Sequence, residues 1–129
     1  MKKTSNLFYS NHPYEQCRYE RFSDSFEMTF TEEPLREHTV YMAEGFDVIT
    51  VSANDFVNRN VIDTLVRYGV KLVALRWTGH DNIDTEYARG RIGVVYVPEY
   101  SPYSIAEFAM GTLLSLVRNF HRAHYRSNL

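Results

Sequence analysis

Strand-like and helix-like patterns alternate along the middle of the chain, and this alternation constrains the fold more than any other feature. Asp47–Val51 is rich in β-branched residues, and Lys71–Leu75 is a continuous apolar run of the kind found in strands buried on both faces. Between them, Val61 and Leu65 recur at helical spacing. Ile92–Val97 adds a further strand. The pattern predicts an α/β domain with a mainly parallel sheet, in which Lys71–Leu75 is an inner strand.

Polar and glycine residues mark the ends of the predicted helices. Either Asn58 or Asn60 is placed to cap the helix that contains Val61 and Leu65, and Gly69 follows it where a left-handed C-terminal cap is favoured. Asp84 is placed to cap a short helix that Gly90 closes.

The first part of the chain has shorter patterns. Leu7–Tyr9 is a short apolar run, and Glu27–Thr31 alternates in polarity as strands do. Tyr14–Phe22 mixes charged and aromatic residues and predicts a half-exposed helix. The sheet is therefore expected to contain five strands, with helices on both faces.

A long helix is predicted at the end of the chain, from Pro102 to Tyr125. Ser101 is a candidate N-cap with Pro102 as the first helical residue, and Ser104 with Glu107 is an alternative capping box. An apolar stripe follows at helical spacing: Ile105, Ala109, Leu113, Leu116, Val117 and Phe120. We expect a domain over residues 1–100 and an interdomain or dimerisation helix over residues 101–129.

Composition excludes several classes of function. The formal net charge is -2, which provides no basic face for nucleic acid. No apolar run follows the first residues as in a signal peptide, and Ile105–Val117 is too short to span a membrane. The single cysteine, Cys17, cannot form an internal disulfide. We therefore expect a cytoplasmic protein that binds neither nucleic acid nor membrane.

Common catalytic and metal-binding signatures are absent from the sequence. It contains neither a phosphate-binding loop of the P-loop type nor a G-x-G-x-x-G segment. His121 and His124 are three residues apart, a spacing that suits either a metal site or a solvated basic helix end. We predict no metal site.

Two segments lie at the carboxyl ends of predicted strands, where open α/β sheets bind ligands. They are residues 71–84 (KLVALRWTGHDNID) and residues 97–107 (VPEYSPYSIAE). Backbone N–H groups around a glycine can bind a carboxylate there. Gly79 has a second interpretation, a tight turn with positive φ, and Tyr100 has one as an ordinary packing residue.

Both segments, in this order and at this separation, resemble the D-isomer-specific 2-hydroxyacid dehydrogenase family, and in particular its D-lactate dehydrogenase branch. The resemblance implies a flavodoxin-like three-layer sandwich with a mainly parallel five-stranded sheet and a long C-terminal helix. It also implies a small 2-ketoacid or 2-hydroxyacid substrate, a homodimer, and NAD as the cofactor of the intact enzyme.

The resemblance implies roles for individual residues. The backbone amides of Thr78 and Gly79 bind the substrate carboxylate, the Tyr100 hydroxyl reaches the substrate, and Ile105 lies near the nicotinamide of the cofactor. Trp77 is larger than the residue that many relatives carry at this position, and it is expected to fill part of the pocket.

The family's catalytic Arg, Glu and His lie in an NAD-binding Rossmann domain that no segment of these 129 residues matches. We therefore expect no catalytic residue in this chain, no tightly bound cofactor, and no activity from the chain alone. The sequence leaves a second hypothesis open: a non-catalytic remnant that acts as a dimerisation or protein-interaction module. It does not distinguish NAD from NADP, nor one 2-hydroxyacid from another.

Overall fold

The computed structural model describes residues 3–127, and its central feature is a parallel sheet. The five strands are β1 Thr4–Phe8, β2 Phe26–Phe30, β3 Val48–Val51, β4 Leu72–Leu75 and β5 Gly93–Val95. Every pair of neighbours is parallel, and the order across the sheet is β2-β1-β3-β4-β5. This order is the flavodoxin-like one, so the predicted fold class and the inner position of β4 are confirmed.

Helices in the first part of the chain are short, apart from one. They are α1 Pro13–Gln16, α2 Arg59–Arg67 and α3 Thr85–Ala88, with 3₁₀ helices at Glu20–Phe22 and Val40–Ala43. Two predicted caps are confirmed: Asn58 accepts a hydrogen bond from the Val61 amide, and Asp84 accepts one from the Tyr87 amide. Of the two asparagines considered for α2, Asn58 is therefore the cap.

One face of the sheet packs on α2, α3 and the 3₁₀ helix Val40–Ala43. Alternate residues of each strand point to this face, as the pleat requires. The buried side chains of the strands and of α2 that meet there are Leu7, Ile49, Val51, Val61, Ile62, Leu65, Val73 and Leu75. Their burial supplies the main stabilisation of the domain, about 1.5–3 kcal/mol for each large side chain.

The prediction of one helix over Tyr14–Phe22 is wrong, because the segment folds as α1 and a separate 3₁₀ helix. Tertiary contacts explain the difference. The ring of Tyr19, between the two helices, packs on the opposite face of the sheet with its centroid 4.7 Å from Phe8 and 5.9 Å from Phe30.

The chain divides into two compact units, residues 1–98 and 99–129. The second unit consists of α4 Pro102–Val117 and α5 Phe120–Ser127. The long C-terminal helix is thus present as α4, and Ser101 is its N-cap, accepting a hydrogen bond from the Ser104 amide. Over residues 3–127, the structure contains no helix that is long and apolar enough to cross a bilayer.

The predicted extension of that helix to Tyr125 is wrong, since the helix stops at Val117. Asn119 adopts a φ of 54°, a left-handed conformation that asparagine tolerates better than most residues and that ends a helix. Its carbonyl then accepts the first hydrogen bonds of α5, from the amides of Arg122 and Ala123. The predicted stripe is therefore divided, with Phe120 on α5.

An ion pair at the amino ends of the strands leads to a prediction for acid stability. Asp47 accepts hydrogen bonds from the Lys71 ammonium at 2.8 Å and from the Ser5 hydroxyl at 3.1 Å. These contacts, chiefly the one from Lys71, lower the pKa of Asp47 from 3.8 to about 2. Because the folded pKa is lower, the stabilisation is complete above pH 3.8 and is lost as pH falls through about 2.

We therefore expect Asp47→Asn to destabilise the protein near neutral pH and to differ less from the parent at each step below pH 3.8. Urea unfolding at a series of pH values measures this difference. Asp24→Asn is the control, because Asp24 is exposed and its carboxylate accepts no hydrogen bond within residues 3–127. A pH-independent effect of Asp47→Asn would contradict the assignment.

Candidate functional site

A buried carboxylate connects the loops at the carboxyl ends of β1, β2 and β3. Asp55 is fully buried. It accepts hydrogen bonds from the Ser10 hydroxyl at 2.6 Å, the Leu35 amide at 2.8 Å and the Ser52 amide at 2.5 Å. Each of these three residues follows a different strand. Asp55 therefore fixes the distances between three loops at the edge where ligands bind in parallel sheets.

Asn82 extends this connection to the loop after β4. Its side-chain amide donates to the carbonyls of Ser52 and Asp55, at 3.0 Å in each case. The Val57 amide donates to the Asn82 carbonyl at 2.8 Å, beside a bridge between Val57 and Ile83. The loop that contains Thr78 and Gly79 is thus held at its far end.

Arg76 holds the near end of the same loop. Its side chain is only 18% exposed and crosses to the loop after β1 and to α1. Its guanidinium donates to the carbonyls of Tyr9 and Ser10 and to the side chains of Asn11, Glu15 and Tyr19, at 3.0–3.4 Å. The remaining nitrogen, Nε, is buried without a partner in the part of the chain that the structure describes.

The charge of Arg76 affects the carboxylate that it contacts. Partial desolvation would raise the pKa of Glu15, but the His12 amide and Arg76 outweigh this effect and lower it. The ionised form of Glu15 is therefore favoured beside Arg76. The two groups form an ion pair with an N–O distance of 3.4 Å.

Two backbone donors are unused in the turn that Arg76 and Asn82 hold in place. The Arg76 amide makes the last ladder-like hydrogen bond after β4, to the Val51 carbonyl. The amides of Thr78 and Gly79 then donate no hydrogen bond to any group within residues 3–127. Thr78 is exposed and Gly79 is half-buried, so neither residue lies in the interior of the domain. Adjacent free amides of this kind suit an anion.

Gly79 is explained by a close contact rather than by backbone conformation. Its φ is not among the positive values found at Gly45, Gly69 and Gly90, so the tight-turn interpretation with positive φ is wrong. A Cβ at Gly79 would lie 2.7 Å from Nε1 of Trp77. The indole occupies the space that any other side chain would need.

Tyr100 and Ile105 belong to the second unit. Tyr100 directly precedes the N-cap Ser101, and Ile105 lies near the start of α4. Both side chains are exposed. The hydroxyl of Tyr100 makes no hydrogen bond within the described residues, so it can donate to a ligand.

A polar cleft lies beside the loops that follow β1 and β3, where the strand order reverses. It encloses about 510 Å³ and is lined in part by Ser10, His12, Arg18, Ser52 and Asn54. Sequence reasoning missed it, because its walls come from segments far apart in the chain. Ser10 is a structural marker of it, with a φ of 48° that is uncommon outside glycine.

Residues 3–127 contain no group of three or more His, Cys, Asp or Glu side chains that could hold a metal ion. His121 lies in α5, and Cys17 is an exposed free thiol.

These features define an α/β domain of flavodoxin-like topology with unused amides at the carboxyl end of an inner strand. Residues 6–124 match the family model described as D-isomer specific 2-hydroxyacid dehydrogenase, catalytic domain. The chain therefore belongs to the D-isomer-specific 2-hydroxyacid dehydrogenase family.

Individual relatives agree with this assignment. A 2-hydroxyacid dehydrogenase homolog of Schizosaccharomyces pombe is 40% identical over 122 residues, which cover 92% of this chain and 37% of that protein. The apo-structure of D-lactate dehydrogenase from Escherichia coli superposes with a TM-score of 0.81 at 34% identity, covering 97% of this chain and 41% of that one. The chain thus spans little more than a third of the length of such relatives.

A third relative bears on the cofactor. The D-isomer specific 2-hydroxyacid dehydrogenase of Lactobacillus delbrueckii ssp. bulgaricus, in its NAD-complexed form, has a TM-score of 0.69 at 29% identity. It covers 96% of this chain and 39% of that one. At least one member of the family therefore binds NAD.

Proposed function

We propose that this chain forms the substrate-binding part of an NAD-dependent D-2-hydroxyacid dehydrogenase, which interconverts a small 2-ketoacid and its D-2-hydroxyacid. The observation that carries the proposal is the pair of unused amides at Thr78 and Gly79, inside the segment that resembles the family's motif. When bound, NADH would supply the hydride that reduces the 2-ketoacid, and NAD+ would accept it in the reverse direction.

The residues of this chain bind and orient the substrate. The amides of Thr78 and Gly79 donate to its carboxylate, and the fixed positions of Arg76 and Asn82 keep those amides in place. The Tyr100 hydroxyl donates one further hydrogen bond to the substrate. Ile105 provides an apolar contact for the nicotinamide ring. The groups that transfer protons are expected outside this chain.

A domain graft tests the proposal. The matching part of Escherichia coli D-lactate dehydrogenase is replaced by this chain, and NADH oxidation is followed with a panel of 2-ketoacids and with their uncharged amides. We expect turnover of 2-ketoacids only, with a D-2-hydroxyacid as product. The 129-residue polypeptide alone should show none, because its sequence contains no dinucleotide-binding motif. A folded graft that binds NADH without turnover would contradict the proposal and favour a non-catalytic interaction module.

The role of Tyr100 can be tested in the same graft. Tyr100→Phe removes a hydrogen bond to the substrate and leaves NADH binding unchanged. A hydrogen bond of this kind contributes about 1.5 kcal/mol, so kcat/KM should fall about ten-fold. Tyr103→Phe is the control, a similarly exposed tyrosine inside α4. Equal kinetics for the two variants would return Tyr100 to a packing role.

We also propose that the protein is a homodimer, with α4 in the interface. Its apolar side chains are exposed, including Phe108 at 77% and Leu116 at 61%. Apolar surface left in water costs about 25 cal/mol for each Å². Two-fold pairing of the same surface removes part of that cost.

Sedimentation over a concentration series measures this association. We expect a dimer mass at micromolar concentration and a shift toward monomer in Leu116→Asp, which would bury a charge in the interface. Glu107→Gln serves as the control on the same helix. A parent protein that is monomeric at high micromolar concentration would rule the dimer out.

The proposed location is the cytoplasm. The single cysteine, Cys17, is a free and exposed thiol. Such a thiol suits the cytoplasm, because reducing conditions there keep thiols from forming disulfides.

A further inference from the structure

Trp77, the only tryptophan in the sequence, packs against the turn that contains the unused amides. Three indole atoms lie near the position that a Cβ on Gly79 would occupy: Nε1 at 2.7 Å, Cδ1 at 3.0 Å and Cε2 at 3.9 Å. The edge of the ring formed by Nε1 and Cδ1 therefore faces Gly79. This is the edge that carries the indole N–H, the only polar group of the side chain.

The indole N–H has no acceptor within residues 3–127. The same is true of the amides of Thr78 and Gly79, so three unused donors share one turn. No acceptor competes for them, and an ionised carboxylate offers about four lone-pair sites. Trp77 is 54% exposed, so solvent and solutes reach this side chain.

We infer that Trp77 is a substrate-binding residue whose indole N–H acts as a third donor to the carboxylate of a 2-ketoacid. The inference rests on the proposed function, since it assumes that the carboxylate binds at Thr78 and Gly79. The third donor fixes the rotation of the carboxylate on the two amides. The indole ring then limits the space beside the carboxylate.

A purely apolar role for the ring makes a different prediction. If the indole only covers Gly79, Trp77→Phe keeps an aromatic ring there, and the affinity for the carboxylate should not change. If the N–H is a donor, Trp77→Phe weakens carboxylate binding. We expect about a five-fold weaker affinity, which is less than the ten-fold or greater loss typical of a desolvated charged hydrogen bond, because solvent reaches this indole.

Amide NMR of the 129-residue chain tests the inference directly, because one tryptophan gives one indole N–H signal. The ligand is oxamate, an uncharged amide of similar size is the control, and sodium chloride corrects for ionic strength. The signals to follow are the Trp77 indole and the amides of Thr78 and Gly79. We expect all three to shift together with oxamate and to stay unchanged with the controls.

The other outcomes separate the two claims. Shifts at Thr78 and Gly79 without a shift of the indole, or an unchanged oxamate affinity in Trp77→Phe, would overturn the inference and leave the proposed function standing. The absence of any shift at Thr78 and Gly79 would overturn the proposed function, and the inference would fall with it. Equal shifts with chloride would overturn the role of a ketoacid carboxylate.

Discussion

Replacing Asp55 with Ala is expected to destabilise the protein by about 3–5 kcal/mol, a large part of the stability of a small domain. Asp55 is fully buried and accepts from the Ser10 hydroxyl and from the amides of Leu35 and Ser52. Each buried amide left unpaired costs about 1–3 kcal/mol. The Ser10 hydroxyl adds less, because it can rotate and donate to water instead. Urea unfolding measures the loss.

Asp63→Ala provides a matched control. Its carboxylate is exposed and, within residues 3–127, accepts a hydrogen bond only from the hydroxyl of Tyr87, at 3.0 Å. Loss of this contact should cost less than about 1 kcal/mol. An Asp55→Ala variant as stable as Asp63→Ala would show that the buried carboxylate does not hold the loops together.

The second large effect is expected for Arg76→Met, which keeps an unbranched, flexible stem and removes the guanidinium with its donors. Five acceptors lose a partner, among them the ionised carboxylate of Glu15. Breaking a buried pair costs about 3–5 kcal/mol. Both side chains here remain partly exposed, and screening reduces the expected loss to about 2–4 kcal/mol.

Arg59→Met is the comparison for this variant. Arg59 also pairs with a carboxylate, that of Asp84 at 2.9 Å, but its side chain is 70% exposed. Exposed pairs contribute little to stability because water screens them, so the variant should be nearly as stable as the parent. Equal losses for Arg59→Met and Arg76→Met would contradict the account of the Arg76 network.

The parallel core could be predicted from sequence because its signals are local. The apolar run at Lys71–Leu75 predicts an inner strand. This strand pairs on both sides with other apolar strands, β3 and β5. Asn58 and Asp84 act on amides three residues away, so their capping roles are visible in the sequence as well. Local chemistry decides such features, and local patterns reveal them.

The errors in the predicted secondary structure have physical causes that lie outside those patterns. The segment from Tyr14 to Phe22 lacks one continuous helix because Tyr19 packs on the sheet and contacts Arg76. The break at Asn119 has a local cause, but asparagine adopts the left-handed conformation at only a minority of positions. The apolar pattern continues past Asn119 to Phe120, so the sequence pattern gives no sign of the helix break.

Only part of the site could be predicted from the sequence. Thr78 and Gly79 were identified through a motif, and their unused amides agree with the role that the motif implies. The network behind them was not foreseen. Asp55 contacts Ser10 across 45 residues of sequence, and Arg76 contacts Asn11 across 65. Pairs so far apart become visible only once the strand order is known.

A crystal structure of the graft with NADH and oxamate shows directly where the carboxylate binds. We expect the oxamate carboxylate to lie about 2.7–3.0 Å from the amide nitrogens of Thr78 and Gly79. Oxamate bound instead in the polar cleft between Ser10 and Ser52, with both amides still unused, would contradict this expectation.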